Sequence, residues 1–233
     1  MEHEAHFNWF HYIPGLAEKP YHVVAAILVA GIIAVFALLA RMSLARAKDT
    51  TIPPSKITFL GFFDLVAEGL YKLTEMTLGK DAKLYFPLVG SLFLFIFISN
   101  LVGMLPGFSP PTDNVNTTLA CGAFVFLYYN YQGFKAGGVH YLNHFLGPVW
   151  YLAWILLPIE IISHSVRPFT LALRLKGNMT GDHTVIAEFT KMAPYIVPIP
   201  FYFLGLLVCF LQAFIFVMLT MVYISMARDT GHH

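Results

Sequence analysis

Charged residues are scarce in this sequence. Only 12% of its 233 residues are Asp, Glu, Lys or Arg, whereas 58% are hydrophobic, and the mean hydropathy is +0.67. A soluble domain usually carries about twice that charged fraction, so the composition predicts a polytopic membrane protein. The formal net charge is only +1 and the chain has no basic tract, so nothing in it indicates a nucleic-acid partner.

Several chemical signatures are also missing. A glycine-rich phosphate loop is absent, which argues against a nucleotide site and a catalytic activity of the chain alone. The two cysteines, Cys121 and Cys209, lie in apolar segments and are typical of small buried hydrophobes, not of a disulfide or metal site. We expect no cofactor, because His164 and His183 fall on different faces of one segment and cannot form a haem-ligand pair. We also expect no cleavable signal peptide.

The apolar runs predict an all-α membrane domain that covers residues 1–233 and has about five spanning helices. Residues 1–20 form an outer segment and residues 23–40 the first span. Residues 84–134 form a helical hairpin. Residues 148–227 form two long, strongly tilted helices, because the charge-free run from Met192 to Ala227 exceeds one vertical span.

The distribution of cations predicts the orientation. Arg41, Arg46 and Lys48 follow the first span, and Arg228 follows the last. Cytoplasmic loops carry an excess of Lys and Arg, so we expect the N-terminus outside and the C-terminus in the cytoplasm. The length favours a bacterial protein of the plasma (inner) membrane.

Residues 56–76 have a different pattern, in which apolar residues alternate with Asp64, Glu68, Lys72 and Glu75. The charged residues recur every three or four positions and therefore share one helical face. This pattern predicts an amphipathic helix in the cytoplasmic membrane interface. A solvated helix packed on its own loops remains the alternative.

The segment from Pro158 to Val185 is apolar enough for a membrane, yet it carries a stripe of polar side chains. At about 100° per residue, one face collects Glu160, His164, Arg167, Leu171, Arg174, Asn178 and Asp182. Lys176 and His183 fall on roughly the opposite side. Intramembrane chains of such residues mark ion paths, so this helix is predicted to line a partly aqueous cavity.

Arg174 lies midway along this stripe and cannot give up its proton, because its pKa is above about 12. It can keep a facing carboxylate ionised by lowering the pKa of that group by about 1–3 units. It can also repel protons and so block a direct leak. The alternative from the residues alone is a structural salt bridge with Asp182 or Glu160.

One contiguous motif surrounds this arginine, Leu173-Arg174-Leu175-Lys176-Gly177-Asn178-Met179. Supporting motifs lie at residues 165–168, 211–216 and 99–101, at Pro106, and at residues 113–118. With these motifs, the sequence resembles subunit a of the F-type ATP synthase. The match covers most of the chain, although the first fifty residues contribute little.

This resemblance implies a proton-translocating stator with two offset half-channels separated by Arg174. It implies roles for Arg174 beside the ring carboxylate, Asn178 one turn on, Glu160 on one access path, His183 on the other, and Gln212 near the arginine. The implied partners are the c-subunit ring, the b-subunit peripheral stalk and the lipid bilayer, and the translocated ion is H⁺ or Na⁺. A self-contained ion-coupled secondary transporter is the alternative, although such proteins are usually built from internal repeats, and none is visible here.

Two positions depart from the family pattern. Lys176 stands where an apolar residue is usual, and Gly205 stands where some members carry an ionisable partner for position 183. We therefore expect His183 to titrate with water, Asp182 or Glu188. For His164, Asn100 and Gln212 a packing role stays open beside the channel role, and Arg167 could instead neutralise Glu160. Lys176 could snorkel or line the channel near His183.

Overall fold

The computed structural model describes residues 20–46, 59–105, 108–138, 153–192 and 198–229. Six α-helices cover most of these residues: α1 (Tyr21–Arg46), α2 (Phe59–Leu78), α3 (Ala82–Gly103), α4 (Val115–Gly137), α5 (Ala153–Met192) and α6 (Pro198–Asp229). Short 3₁₀ turns at Gly79–Asp81 and Pro111–Asp113 lie before and after α3. The described residues contain no strand, so the predicted all-α fold is confirmed.

Within the described residues, three stretches are long and apolar enough to cross a membrane, namely Tyr21–Met42, Asp64–Gly103 and Ile199–Arg228. The protein is therefore a multi-pass membrane protein. The other two spans of the predicted five correspond to α4 and α5, which are 23 and 40 residues long but too polar to qualify by composition. Their crossing of the membrane, and the tilt of α5 and α6, stay predictions.

The helix ends follow local chemistry. Asn114 caps α4, because its side-chain oxygen accepts a hydrogen bond from the Asn116 backbone N–H at 2.9 Å. Gly138 closes the same helix with a φ of 53° and donates to the Phe134 carbonyl at 2.8 Å. Gly79, with a φ of 60°, allows the chain to turn between α2 and α3.

The boundary between the last two helices differs from the charge pattern. The charge-free run starts at Met192, but Met192 is still part of α5, and α6 begins only at Pro198. Proline is favoured in the first turn of a helix, because it lacks the N–H that would be unsatisfied there. The charge-free run thus indicated where the sequence is apolar but not where a helix begins. The start of α6 coincides with a proline.

Helices α3, α4, α5 and α6 form the core of the molecule. Among these four helices, the most extensive pairings are α4 with α5, α3 with α6, and α4 with α6. Their shared core includes Val89, Ile96, Val125, Leu171, Leu175, Ala213, Val217 and Met221. Lipid is as apolar as these side chains, so close van der Waals packing, not exclusion from water, holds such helices together.

Helix α2 packs on α3 and α6 with Leu70, Thr74 and Leu78 buried. The four charged residues of the predicted face, Asp64, Glu68, Lys72 and Glu75, are exposed. Two of them form an ion pair, since Lys72 Nζ lies 2.7 Å from Glu68 Oε1. The helix is thus amphipathic. Its position in the membrane interface stays a prediction, as does the alternative of a solvated helix.

Two contacts set the relative positions of these helices. The backbones of α4 and α5 approach closely at Gly122, where an added Cβ would lie only 2.7 Å from the Pro168 carbonyl oxygen. The second contact is at the C-terminal end of α6. Arg228 forms a salt bridge with Asp81 there, and its guanidinium carbon lies 5.6 Å from the ring centroid of Tyr85. The end of α6 is thereby tied to the turn that joins α2 and α3.

Candidate functional site

The predicted polar stripe of α5 lies along the border between a packed and an open face. On one edge, His164 and Leu171 are buried against the other helices. On the other edge, Arg174 and Asn178 are exposed. Arg167 and Asp182 are half-buried between the two. Among the described residues, the helix therefore presents part of its polar stripe to the helix bundle and leaves part of it exposed.

Arg174 and Asn178 are one helical turn apart on the open face. Small and polar residues surround them on this face: Ser163, Thr170, Gly177 and Gly181. Within the part of the chain that the structure describes, Arg174 makes no ion pair, and an added Cβ at Gly177 or Gly181 would meet nothing within 4 Å. Among the described residues, the alternative of a salt bridge between Arg174 and Asp182 is therefore not seen, and the Arg174 side chain is exposed.

Three contacts along their length set the register of α5 against α6. The rings of Phe189 and Phe201 stack with their centroids 4.2 Å apart, and Asp182 approaches Gly205. The Arg167 guanidinium lies 5.3 Å from the Tyr223 ring centroid. Gln212 follows Gly205 by seven residues, and Leu175 precedes Asp182 by seven. Both steps correspond to about 10 Å along antiparallel helices. Gln212, which is only 6% exposed, thus lies at the level of Leu175, beside Arg174.

Towards the start of α5, the stripe enters an aromatic cluster. The His164 ring lies 5.6 Å from the Tyr129 ring and 6.4 Å from the Phe126 ring, both on α4. Arg167, one turn on, stacks over Tyr223 of α6, and this ring lies 5.8 Å from that of Tyr129. His164 thus packs in an aromatic cluster, and its channel role stays a prediction. Arg167 has an aromatic partner, which the sequence did not suggest.

Towards the end of α5, the stripe meets the connection between α3 and α4. Thr180 Oγ1 donates to the carboxylate of Asp113 at 2.6 Å. Asp182 lies against Gly205 of α6, where the terminal methyl of Met104 also approaches. Lys176 is half-buried on the side of α5 away from Arg174. Near the end of α5, the carboxylate of Asp113 therefore lies close to the turn of the helix that carries Asp182.

Asn100 is fully buried and is held by Thr112, whose Oγ1 donates to Asn100 Oδ1 at 2.8 Å. This bond ties α3 to the 3₁₀ turn that precedes α4. Within the described residues, neither Asn100 Nδ2 nor the neighbouring Ser99 Oγ has a hydrogen-bond partner. Asn100 thus takes part in packing between α3 and this turn, and its channel role stays a prediction.

Glu160 and His183 lie on α5, but their side chains fall outside what the structure describes. Glu160 precedes Arg174 by 14 residues and His183 follows it by nine. At about 1.5 Å per residue, these positions are about 21 Å and about 14 Å from Arg174, in opposite directions. Along α5, the level of Arg174 therefore lies between the levels of these two residues.

Sequence reasoning missed three residues of this region: Thr112, Thr180 and Tyr223. Each is held in place by a residue that the sequence did single out, namely Asn100, Asp113 and Arg167. Their partners are 12, 67 and 56 residues away in the chain. A single sequence contains no signal that joins such distant positions.

Comparison with known proteins identifies what this arrangement is similar to. The family described as ATP synthase A chain matches residues 23–225. The chain is 47% identical to the protein named ATP synthase subunit a from Bdellovibrio bacteriovorus, over 97% of this chain and 99% of that one.

Two more relatives of the same name support this result. The protein from Geobacter sulfurreducens is 47% identical over 73% of this chain and 75% of its own length. The protein from Nitratidesulfovibrio vulgaris is 49% identical over 73% of each chain. The similarity therefore covers the helices that carry the polar stripe.

Proposed function

Because this chain belongs to the ATP synthase A chain family, the family of subunit a in the membrane sector of F-type ATP synthases, we propose that it is the stator that passes protons to and from a rotating ring of c subunits. The observation that carries this proposal is the open position of Arg174. A guanidinium at bilayer depth costs at least a few kcal/mol unless it meets an opposite charge. A carboxylate on a neighbouring ring would supply that charge.

Arg174 would then act as an electrostatic divider. It attracts the ionised form of a passing carboxylate and lowers the pKa of that group by about 1–3 units, so the acid releases its proton as it approaches. It also repels protons that would otherwise move straight through. Gln212, level with Leu175 on α6, is placed to orient the guanidinium by hydrogen bonding.

Two half-channels would meet at this divider from opposite ends of α5. Glu160 lies on the side of the helix start and His183 on the side of the helix end. A proton arriving by one path has to ride on the ring before it leaves by the other. The membrane potential would drive this movement with about 2.3 kcal/mol per charge per 100 mV.

The same proposal sets the partners and the orientation. The ring would cover the open face of α5, and the peripheral stalk formed by b subunits would hold the bundle against rotation. The N-terminus would lie outside and the C-terminus in the cytoplasm, as the cations after α1 and α6 indicate. Glu160 would then belong to the cytoplasmic path and His183 to the outer path.

The test replaces Arg174 with alanine in membranes that contain the whole complex. We expect loss of ATP-driven proton pumping and of ATP synthesis, measured by quenching of a pH-sensitive dye and by luciferase. Arg41→Ala removes an exposed cation of α1 and is the matched control. If Arg174→Ala pumped protons at a rate near that of the control, the proposed role of Arg174 as an electrostatic divider would be wrong. Ion-coupled transport by the purified chain alone in liposomes would favour the self-contained transporter.

A further inference from the structure

The connection between α2 and α3 carries two lysines that face away from the bundle. Leu78, Ala82 and Tyr85 are buried against the other helices. Lys80, in the 3₁₀ turn, and Lys83, in the first turn of α3, are exposed. Side chains three residues apart on a helical stretch have their Cβ atoms about 5–6 Å apart, so both ammonium groups can reach one phosphate-sized anion.

The carboxylate between these two lysines is already engaged. Asp81 stands between them in the sequence and could neutralise either one, but it forms a salt bridge with Arg228 at the end of α6. Among the described residues, neither lysine forms an ion pair, with the exposed Glu75 of α2 or with any other carboxylate. The salt bridge thus holds the turn in place and leaves the positive charges of Lys80 and Lys83 available to an anion.

An exposed apolar surface continues from Lys83 along the outer face of α3. Leu84 is 61% exposed, and Pro87, one turn after Lys83, is exposed as well. The stretch Asp64–Gly103, which contains the turn, is long and apolar enough to cross a membrane. Cations at the end of an exposed apolar helix face are complementary to a lipid with an anionic headgroup, because the headgroup meets the lysines while an acyl chain lies along the helix.

We propose that Lys80 and Lys83 form a binding site for an anionic phospholipid, whose phosphodiester lies between the two ammonium groups and whose acyl chain covers Leu84 and Pro87. This inference goes beyond the proposed function, because it requires neither the ring nor proton movement. The salt bridge to Arg228 places the turn at the same end of the bundle as the C-terminal end of α6. In the proposed orientation this end faces the cytoplasm, where anionic lipids attract basic residues beside the membrane.

The test uses the full chain in phosphatidylcholine nanodiscs that contain increasing fractions of a phosphatidylglycerol with a photoreactive acyl chain. Cross-linked peptides are identified by mass spectrometry. We expect saturable labelling of the outer face of α3 around Leu84. A phosphatidylcholine probe with the same acyl chain should label this face weakly and without saturation, because its headgroup has no net charge.

Lys80→Gln combined with Lys83→Gln removes both charges of the site. A lysine near an anionic membrane surface contributes about fivefold in affinity, so this double variant should need about 25-fold more phosphatidylglycerol for half-maximal labelling. Lys80→Arg combined with Lys83→Arg keeps the charges and should bind the probe like the unaltered chain.

Arg41→Gln combined with Lys135→Gln is the matched control, because it removes two exposed cations from the same end of the bundle. Their helices, α1 and α4, both begin near the connection between α3 and α4 and run towards the end where the lysine turn lies. This control should keep the half-maximal labelling of the unaltered chain, because a site formed by Lys80 and Lys83 does not need these charges.

Equal half-maximal labelling in the Lys80/Lys83 glutamine variant and in the control would overturn this inference, as would saturable labelling by the phosphatidylcholine probe. Inorganic phosphate that displaces the probe better than chloride at the same ionic strength would contradict a lipid site. Loss of labelling in the complete complex would show that a protein subunit covers the turn, which also contradicts it. Lipid labelling of the chain does not depend on pumping, so failure of this inference and failure of the proposed function are separate results.

Discussion

Replacement of Gly122 by alanine should separate α4 from α5 and displace the helix that carries Arg174. The added Cβ would lie 2.7 Å from the Pro168 carbonyl oxygen, 3.4 Å from its carbonyl carbon and 3.5 Å from its Cα. All three are backbone atoms, so no side-chain rotation relieves the clash. The helices have to move apart by about 0.5 Å or more, and overpacking of this kind typically costs about 1–3 kcal/mol.

Gly90→Ala is the matched control, because an added Cβ at that position of α3 meets nothing within 4 Å. Both variants gain the same helix propensity, about 0.5–1 kcal/mol for Gly to Ala, so this contribution cancels between them. The difference in free energy of unfolding should therefore be about 1–3 kcal/mol, with Gly122→Ala the less stable. Gly122→Val should be less stable still, because its branched side chain is larger.

The measurement is unfolding of the purified chain by SDS in mixed micelles, followed by circular dichroism. ATP-driven pumping in membranes is the functional readout. Pro168 precedes Arg174 by six residues, and a displacement of about 1 Å at a reacting group can reduce a rate about 10²-fold. Equal stability and equal pumping in Gly122→Ala and Gly90→Ala would refute the close approach of α4 and α5.

Two further predictions concern the ends of the bundle. Arg228→Ala should cost about 1 kcal/mol by loss of the Asp81 salt bridge and the Tyr85 contact, and the loss should shrink at high salt. A double-mutant cycle with Asp81→Asn checks it, and a coupling energy near zero would contradict it. Thr112→Val should cost about 1–2 kcal/mol, because it leaves the buried Asn100 Oδ1 without its donor. SDS unfolding measures this loss, and a cost equal to that of the exposed control Thr190→Val would contradict it.

The fold could be predicted largely from local features of the chain. Runs such as residues 23–40 are apolar, as segments surrounded by lipid must be. In lipid, such a segment can satisfy the hydrogen bonds of its own backbone N–H and C=O groups only as a helix. The periodic charges of α2 indicated an amphipathic helix for the same local reason. The start of α6 at Pro198 was not predicted, because an apolar composition continues through the end of α5 and the start of α6.

The candidate site was predicted as a set of residues but not as an arrangement. Helical periodicity placed His164, Arg174 and Asp182 on one stripe. It could not show that His164 faces an aromatic cluster, that Arg174 faces outwards and that Asp182 fills a gap in α6. Those differences depend on which neighbour covers each part of α5.

By itself, the sequence determined the helices, their apolar and polar faces, and the family, because each of these depends on residues a few positions apart or on a contiguous motif. Only the tertiary structure decided which edge of the polar stripe is buried and which partners its residues meet. Gly122 meets Pro168, and Gly205 meets Asp182, across gaps of 46 and 23 residues in the chain. Such contacts arise when two helix surfaces pack together, and the spacing of residues along either helix does not determine them.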